Sequence, residues 1–136
     1  MKKMGLDIGK ARIGVAMCDE LEIIASGYET IYSQSLTKDV LKVVDIAKKF
    51  NIKTIVVGLP LQMDGTEGQM AEYVHLFCNK IKEQIDVEIV LLDERLSSVE
   101  AEGYLHNAGT KKSKKKAVLD QVAASIILQS YLDNRR

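Results

Sequence analysis

Proline occurs once in this 136-residue chain, cysteine twice, and neither sign of charge is in excess. Cys18 and Cys78 have no paired spacing and no Cys/His cluster near them. That argues against a disulfide framework and predicts two reduced thiols in a cytoplasmic protein. Lys plus Arg equals Asp plus Glu at 19 each, so global charge is silent about nucleic acid and only its local distribution can inform. No apolar run approaches the roughly 18 residues needed to span a membrane. Asp7, Lys10 and Arg12 interrupt the apolar stretch that a leader would need after the basic Met1-Lys2-Lys3. Repeats, linkers and low-complexity segments are missing too, apart from a lysine cluster at 111–116. What is present, 46% hydrophobic and 28% charged residues, is ordinary for a soluble globular protein. The length suits one domain over residues 1–136.

The first third predicts three strands, at 4–8, 12–18 and roughly 22–31, rich in Ile, Val, Leu and Tyr. Short breaks at Gly9-Lys10-Ala11 and Asp19-Glu20 suit hairpins, so these strands are expected to be antiparallel neighbours. From Leu36 the apolar period becomes helical, through Val40, Val43, Val44 and Ala47, with lysines on the opposite face. A β-branched run at 54–58 predicts a buried strand, and Met70, Val74, Phe77, Ile81 and Ile85 predict a second helix. Val87 to Leu92 predicts a fifth strand. Ser97 with Glu100 fits a capping box that opens a helix ending near Gly109, and 117–132 predicts a last helix. The expected fold class is α/β, a mixed five-stranded sheet with three antiparallel strands, then parallel crossovers, and helices on both faces. In such sheets sites form at the carboxyl ends of parallel strands, where the loop 59–69 and the pair Asp93-Glu94 are expected.

Acidic residues in apolar settings are the chemical signal. Asp7 sits mid-strand between Leu6 and Ile8, where a lone carboxylate is costly to bury unless a cation balances it. Asp93 and Glu94 end a strand that is otherwise Val, Ile and Leu, and Asp120 shares a helix flank with Ala124, Ile127 and Tyr131. Carboxylates converging from separate elements suit Mg²⁺ or Mn²⁺, hard cations that take oxygen ligands. A metal at a scissile phosphate can activate water and stabilise the leaving oxygen, so no histidine base is needed; His75 and His106 read as structural. Structural alternatives exist for two of these acids: Asp93 could hold a turn or pair with Arg95, and Asp120 could pair with Lys116. A mid-strand Asp7 followed by Gly9 is hard to explain by packing.

Lys111, Lys112, Lys114, Lys115 and Lys116 precede the helix that carries Asp120. Cations there oppose the helix dipole, and a phosphodiester backbone would relieve that; the alternative is a solvated charge run. Without a ligand the segment is expected to lack fixed structure. The loop from Gly58 to Gly68 leads into a helix N-terminus, where backbone amides could receive a phosphate. It lacks the Gly-Lys-Ser/Thr ending of a P-loop.

Four motifs in order resemble the YqgF (RuvX) family: Gly5-Leu6-Asp7-Ile8-Gly9 with Arg12 to Ala16; Val57-Gly58-Leu59-Pro60 with Met63 to Gly68; Asp93 to Ser97; and Asp120 with Ala123-Ala124 and Ile127-Leu128. The resemblance covers essentially the whole chain. It implies a ribonuclease H-like fold and a nuclease that processes the 5′ end of pre-16S rRNA, a family earlier proposed to resolve Holliday junctions. Transferred residue by residue, Asp7, Glu94 and Asp120 would be the catalytic and metal-holding carboxylates, with Asp93 as the alternative to Glu94. Many such nucleases supply a fourth carboxylate, which RuvC-type enzymes place a turn beyond the third; here that turn holds Ala123 and Ala124, which leaves the number of metal ions open. Arg12, Arg95 and the five lysines are candidates for holding the nucleic-acid backbone. The implied partner is pre-rRNA, or else branched DNA, with no membrane association and a monomer or homodimer.

Two other classes compete with this expectation. Actin-like nucleotide binders share an Asp-x-Gly opening hairpin but need a duplicated second domain. A non-catalytic RNA-binding assembly factor would keep the fold and lose the acids, which are retained here.

Overall fold

The computed structural model describes residues 2–93 and 112–135, with side chains in the last helix from Lys116 onward. Strands β1 (Met4–Ile8), β2 (Arg12–Cys18) and β3 (Ala25–Tyr32) lead to helix α1 (Leu36–Lys49). Strand β4 (Thr54–Leu59), helix α2 (Gln69–Gln84) and strand β5 (Glu88–Asp93) follow, and helix α3 spans Lys112–Asn134. The five strands form one sheet in the order β3-β2-β1-β4-β5. The first three are antiparallel, and β1, β4 and β5 run parallel. This is the mixed sheet that the pattern of hairpins and then crossovers predicts.

Alternation along β1 sorts the two layers. Met4, Leu6 and Ile8 face a core completed by Ile13, Val15, Ile55 and Val57 and by the apolar stripes of α1 and α2. Residues of the opposite parity, Ala16, Cys18 and Val56, pack beneath Ala124, Ile127, Leu128 and Leu132 of α3. The helices therefore cover both faces. Each predicted stripe is buried as its spacing requires: Val40, Val43, Val44 and Ala47 in α1, and Val74, Phe77 and Ile81 in α2.

Two boundaries differ from expectation. β3 begins at Ala25, because the Asp19 carboxylate accepts from the backbone N–H of Ile23 and Ile24 and folds 19–24 into a turn. Glu22 sits in that turn at φ 58° and pairs with Lys3 and Arg135 at 2.7 and 3.1 Å. α3 begins within the lysine cluster, so residues 112–116 are helical rather than without fixed structure; lysine is a good helix former, and the helix continues through it. At the start of α1 the Ser35 hydroxyl accepts from Lys38 N. Asp39 there is 1% exposed and accepts from Ser33 Oγ and Gln34 N, which locks the β3–α1 connection. The helix expected between Ser97 and Gly109 lies outside the described residues.

Candidate active site

Glycine decides how closely α3 approaches the sheet. A Cβ added at Gly5 would lie 2.7 Å from Ala124 O and 2.8 Å from Leu128 Cβ, and one at Gly27 would lie 2.8 Å from Gln121 Cβ. At Gly14 an added Cβ would run into the Asp120 backbone. Gly5 pairs with Ala16 and Ala16 with Gly27, forming one lateral row of small residues beneath the helix. The next row towards the carboxyl end of β1 is Asp7–Gly14–Thr30. Thr30 secures the helix above this row: its hydroxyl donates to Ala117 O at 2.7 Å and accepts from Gln121 Nε2 at 3.0 Å.

This packing brings two of the predicted acids together on one face. Asp7 shares the parity of Gly5, which α3 covers, and its cross-strand neighbour Gly14 lies against Asp120. Asp7 is partly buried. Asp120 is held by Arg12, whose Nε donates to Asp120 Oδ2 at 2.6 Å; the side chains are 28% and 16% exposed. Burial pushes the Asp120 carboxyl above its ordinary pKa, against the pull of the Arg12 guanidinium. The partner of Asp120 is thus Arg12 from β2, not a lysine one turn away on its own helix. Sequence spacing offers no sign of this contact, which depends on the docking of α3.

Asp93 is separated from this pair. It lies opposite Leu59 in the β4–β5 ladder, and Leu59 packs on the α1/α2 side, whereas Val90 and Leu92 pack on the α3 side. Alternation therefore gives Asp93 the parity of the far face, where it is exposed. Glu94, Arg95, His106 and Lys111 lie outside the described residues, as do the side chains of Lys112, Lys114 and Lys115. Lys116 is exposed. Among the described residues no three His, Cys, Asp or Glu side chains form a metal-holding group. Asp7 and Asp120 nevertheless fit part of a hard-cation site: two partly buried oxygen donors on one face, one with its charged form disfavoured by burial.

In the loop after β4, three amides are used within the loop itself: Gln62 N donates to Thr66 O, Gly65 N to Gln62 O, and Thr66 N to Asp64 Oδ1. The N-cap of α2, Gly68, makes no side-chain cap hydrogen bond. His75, read as structural, is 41% exposed and lies 2.8 Å from Glu67 Oε1, tying the loop to the helix.

A family model described as "RuvX: Holliday junction resolvase" matches residues 1–134. The chain belongs to the RuvX family. A curated relative named "Putative pre-16S rRNA nuclease" from Endomicrobium trichonymphae is 48% identical over 96% of this chain and 94% of its own. One of the same name from Desulforamulus reducens is 43% identical over 98% of each chain. Among solved structures, Thermus thermophilus RuvC in complex with Holliday junction substrate superposes with a TM-score of 0.61 at 13% identity, over 99% of this chain and 95% of that one. The fowlpox virus resolvase in complex with its substrate Holliday junction DNA gives 0.58 at 10% identity, over 99% of each chain. These likenesses establish that this RuvX chain has the ribonuclease H-like fold of the resolvases.

Proposed function

We propose that this chain is a divalent-metal-dependent nuclease, one domain over 1–136, that hydrolyses phosphodiester bonds in 5′-end processing of pre-16S rRNA in the cytoplasm. The observation that carries this reading is the docking of α3 on Gly14, which sets Asp120 on the sheet face of Asp7. A nuclease of this kind needs carboxylates from distant elements at one sheet edge. Asp93 stands on the opposite face, which supports Glu94 as the third carboxylate. Asp7, Glu94 and Asp120 would hold Mg²⁺ or Mn²⁺. When bound, the ion supplies Lewis acidity for attack of water on phosphorus and for departure of the leaving oxygen.

The protein's own groups do the positioning. Strand β1 fixes Asp7 between two core side chains, Leu6 and Ile8, so that its carboxylate has little freedom to turn away. Arg12 supplies a charge that opposes the upward push of burial on the Asp120 carboxyl. A guanidinium carries five N–H donors, and Arg12 spends its Nε–H on Asp120. Its terminal nitrogens are suited to a phosphate oxygen, with Arg95 and the lysines at 111–116 extending the contact along the backbone.

The test is cleavage of labelled pre-rRNA and of a four-way DNA junction, each with and without Mn²⁺. Asp7→Asn is expected to lower turnover well over 100-fold, since even groups that only support metal ligands cost 10–100-fold, with RNA affinity changed about twofold at most. Unchanged turnover in Asp7→Asn refutes the assignment. Preferential cutting of the DNA junction supports the reading carried by the family description, a Holliday junction resolvase. Binding without cutting supports a non-catalytic assembly factor.

A further inference from the structure

Helix α3 is held to the sheet in two different ways along its length. From Ala123 onward it is seated by burial: Ala123, Ala124, Ile127, Leu128 and Leu132 are 0–5% exposed. Between Lys116 and Val122, the stretch that carries Asp120, every residue is partly or fully exposed. Burial therefore grips this second stretch weakly. Gly14 and Gly27 allow the helix to come close there, but a missing side chain permits contact without holding it. Polar contacts do the holding. Thr30, opposite Gly14 in the β2–β3 ladder, donates its hydroxyl to Ala117 O at 2.7 Å and accepts from Gln121 Nε2 at 3.0 Å. One side chain of β3 thus grips α3 on either side of Asp120.

We propose that Thr30 is the positioning residue for Asp120: by clasping Ala117 and Gln121 it sets where the Asp120 carboxylate stands relative to Arg12 and Asp7. The inference rests on the nuclease reading above and deepens it, adding a residue that acts through the helix. A hydroxyl suits this place because it donates and accepts at once, and a side chain branched at Cβ has few rotamers in which to lose the geometry. Gln129 makes a comparable clasp farther along, its Oε1 accepting from Ala25 N and its Nε2 donating to Ile23 O, both at 2.8 Å. That second clasp lies on the stretch that burial already seats, about two turns beyond Gln121. The two clasps therefore differ in what they control. Gln129 adds to the hold on a buried segment, whereas Thr30 fixes the half-exposed one that bears the acid.

The test compares three variants of the full chain: Thr30→Val, which keeps the shape and removes the hydroxyl, Thr30→Ser, which keeps the hydroxyl, and Gln129→Ala. The first readout is the NMR signal of the Arg12 Nε–H, a proton shielded from exchange with water by its bond to Asp120. Thr30→Val is expected to speed that exchange at least about tenfold, and the other two to leave it within about twofold of wild type, because exchange follows local opening. The second readout is turnover on labelled pre-rRNA. There kcat is expected to fall at least about tenfold in Thr30→Val and not in the other two, since a small displacement of a reacting group costs up to about 100-fold. Where Thr30→Val does not keep its fold by circular dichroism, Gln121→Ala, which removes one of the two bonds, is read in its place. Unchanged exchange or, in a chain that cleaves, unchanged kcat overturns the assignment. So does an equal loss in Thr30→Ser, or in Gln129→Ala, where it would mark a general loosening of α3. The exchange arm needs no turnover, so a chain that cleaves nothing refutes the nuclease reading while the Arg12 signal still judges Thr30.

Discussion

Arg12 Nε and Asp120 Oδ2 lie 2.6 Å apart, joining the start of β2 to the helix on the far side of the sequence. The pair gives Asp120 a counter-charge, a role that a divalent ion would take in the metal site proposed above. Arg12→Ala is therefore expected to act in opposite directions with and without metal. The metal-free protein should lose roughly 1 kcal/mol, the range for a partly screened pair. The additional stability conferred by Mn²⁺ should grow, because the ion no longer competes with the guanidinium. Thermal unfolding across a Mn²⁺ titration measures both, and equal Mn²⁺ stabilisation in the two proteins would show that Arg12 and metal do not share Asp120.

Gly14→Ala places a methyl group where the Asp120 backbone runs. Since backbone rather than a flexible side-chain tip is in the way, α3 must lift from the sheet. The expected cost is at least about 1–3 kcal/mol, the usual penalty for overpacking, with loss of cleavage as Asp120 leaves Asp7. Urea unfolding midpoints and turnover should fall together; a variant of wild-type stability would mean that the close approach is unnecessary.

Cys78 is 5% exposed, and burial pushes its thiol up to about 11. Cys18 is also buried, and its Sγ accepts from Lys3 N. Neither thiolate is accessible in the folded protein, so labelling by a disulfide reagent at neutral pH should be at least 100-fold slower than in urea, as follows when only the unfolded fraction reacts. Fast labelling of the native protein would contradict the packing of α2 or β2.

Glu22 is held at a pKa of about 2, well below 4.5, chiefly by the hydrogen bond from Lys3 and against the opposing effect of burial, with Arg135 adding to the pull. A carboxylate with a lowered native pKa stabilises the fold above its unfolded value and ceases to do so as pH falls through the native one. Glu22→Gln should therefore be less stable than wild type at pH 7, by about 0.5–1 kcal/mol, the range for ion pairs near the surface. The difference should shrink between pH 4.5 and about 2, and also in high salt. Parallel urea titrations at pH 7 and pH 2.5 decide the matter; a constant difference would assign the effect to packing of the turn.

Elements whose signal is local were legible in the sequence. The alternation of Leu6, Ile8, Ile13 and Val15, and the helical spacing of Val40, Val43, Val44 and Ala47, report burial on one face because the pattern and its cause lie in the same few residues. Asp7 stood out for the same reason, a charge interrupting an apolar strand. What stayed hidden depends on partners far along the chain. Gly5 and Gly27 look like weak points in strands until α3 is laid over them, and Arg12 reads as a solvent-facing cation until Asp120 arrives beside it. Asp39 and the clasp between Glu67 and His75 escaped because a buried or paired polar residue carries no periodic mark. The strand parity that sets Asp93 on the face away from Asp7 is likewise something that a bare motif does not provide.

The glycine bed beneath α3 also makes the carboxylate pair a product of helix docking. One acid comes from β1 and the other from α3, the last helix described. The sheet's own ladders set Asp7 in place without α3, whereas Asp120 joins it only where the helix settles on Gly14. Loosening that one helix therefore parts the two acids while every strand stays paired.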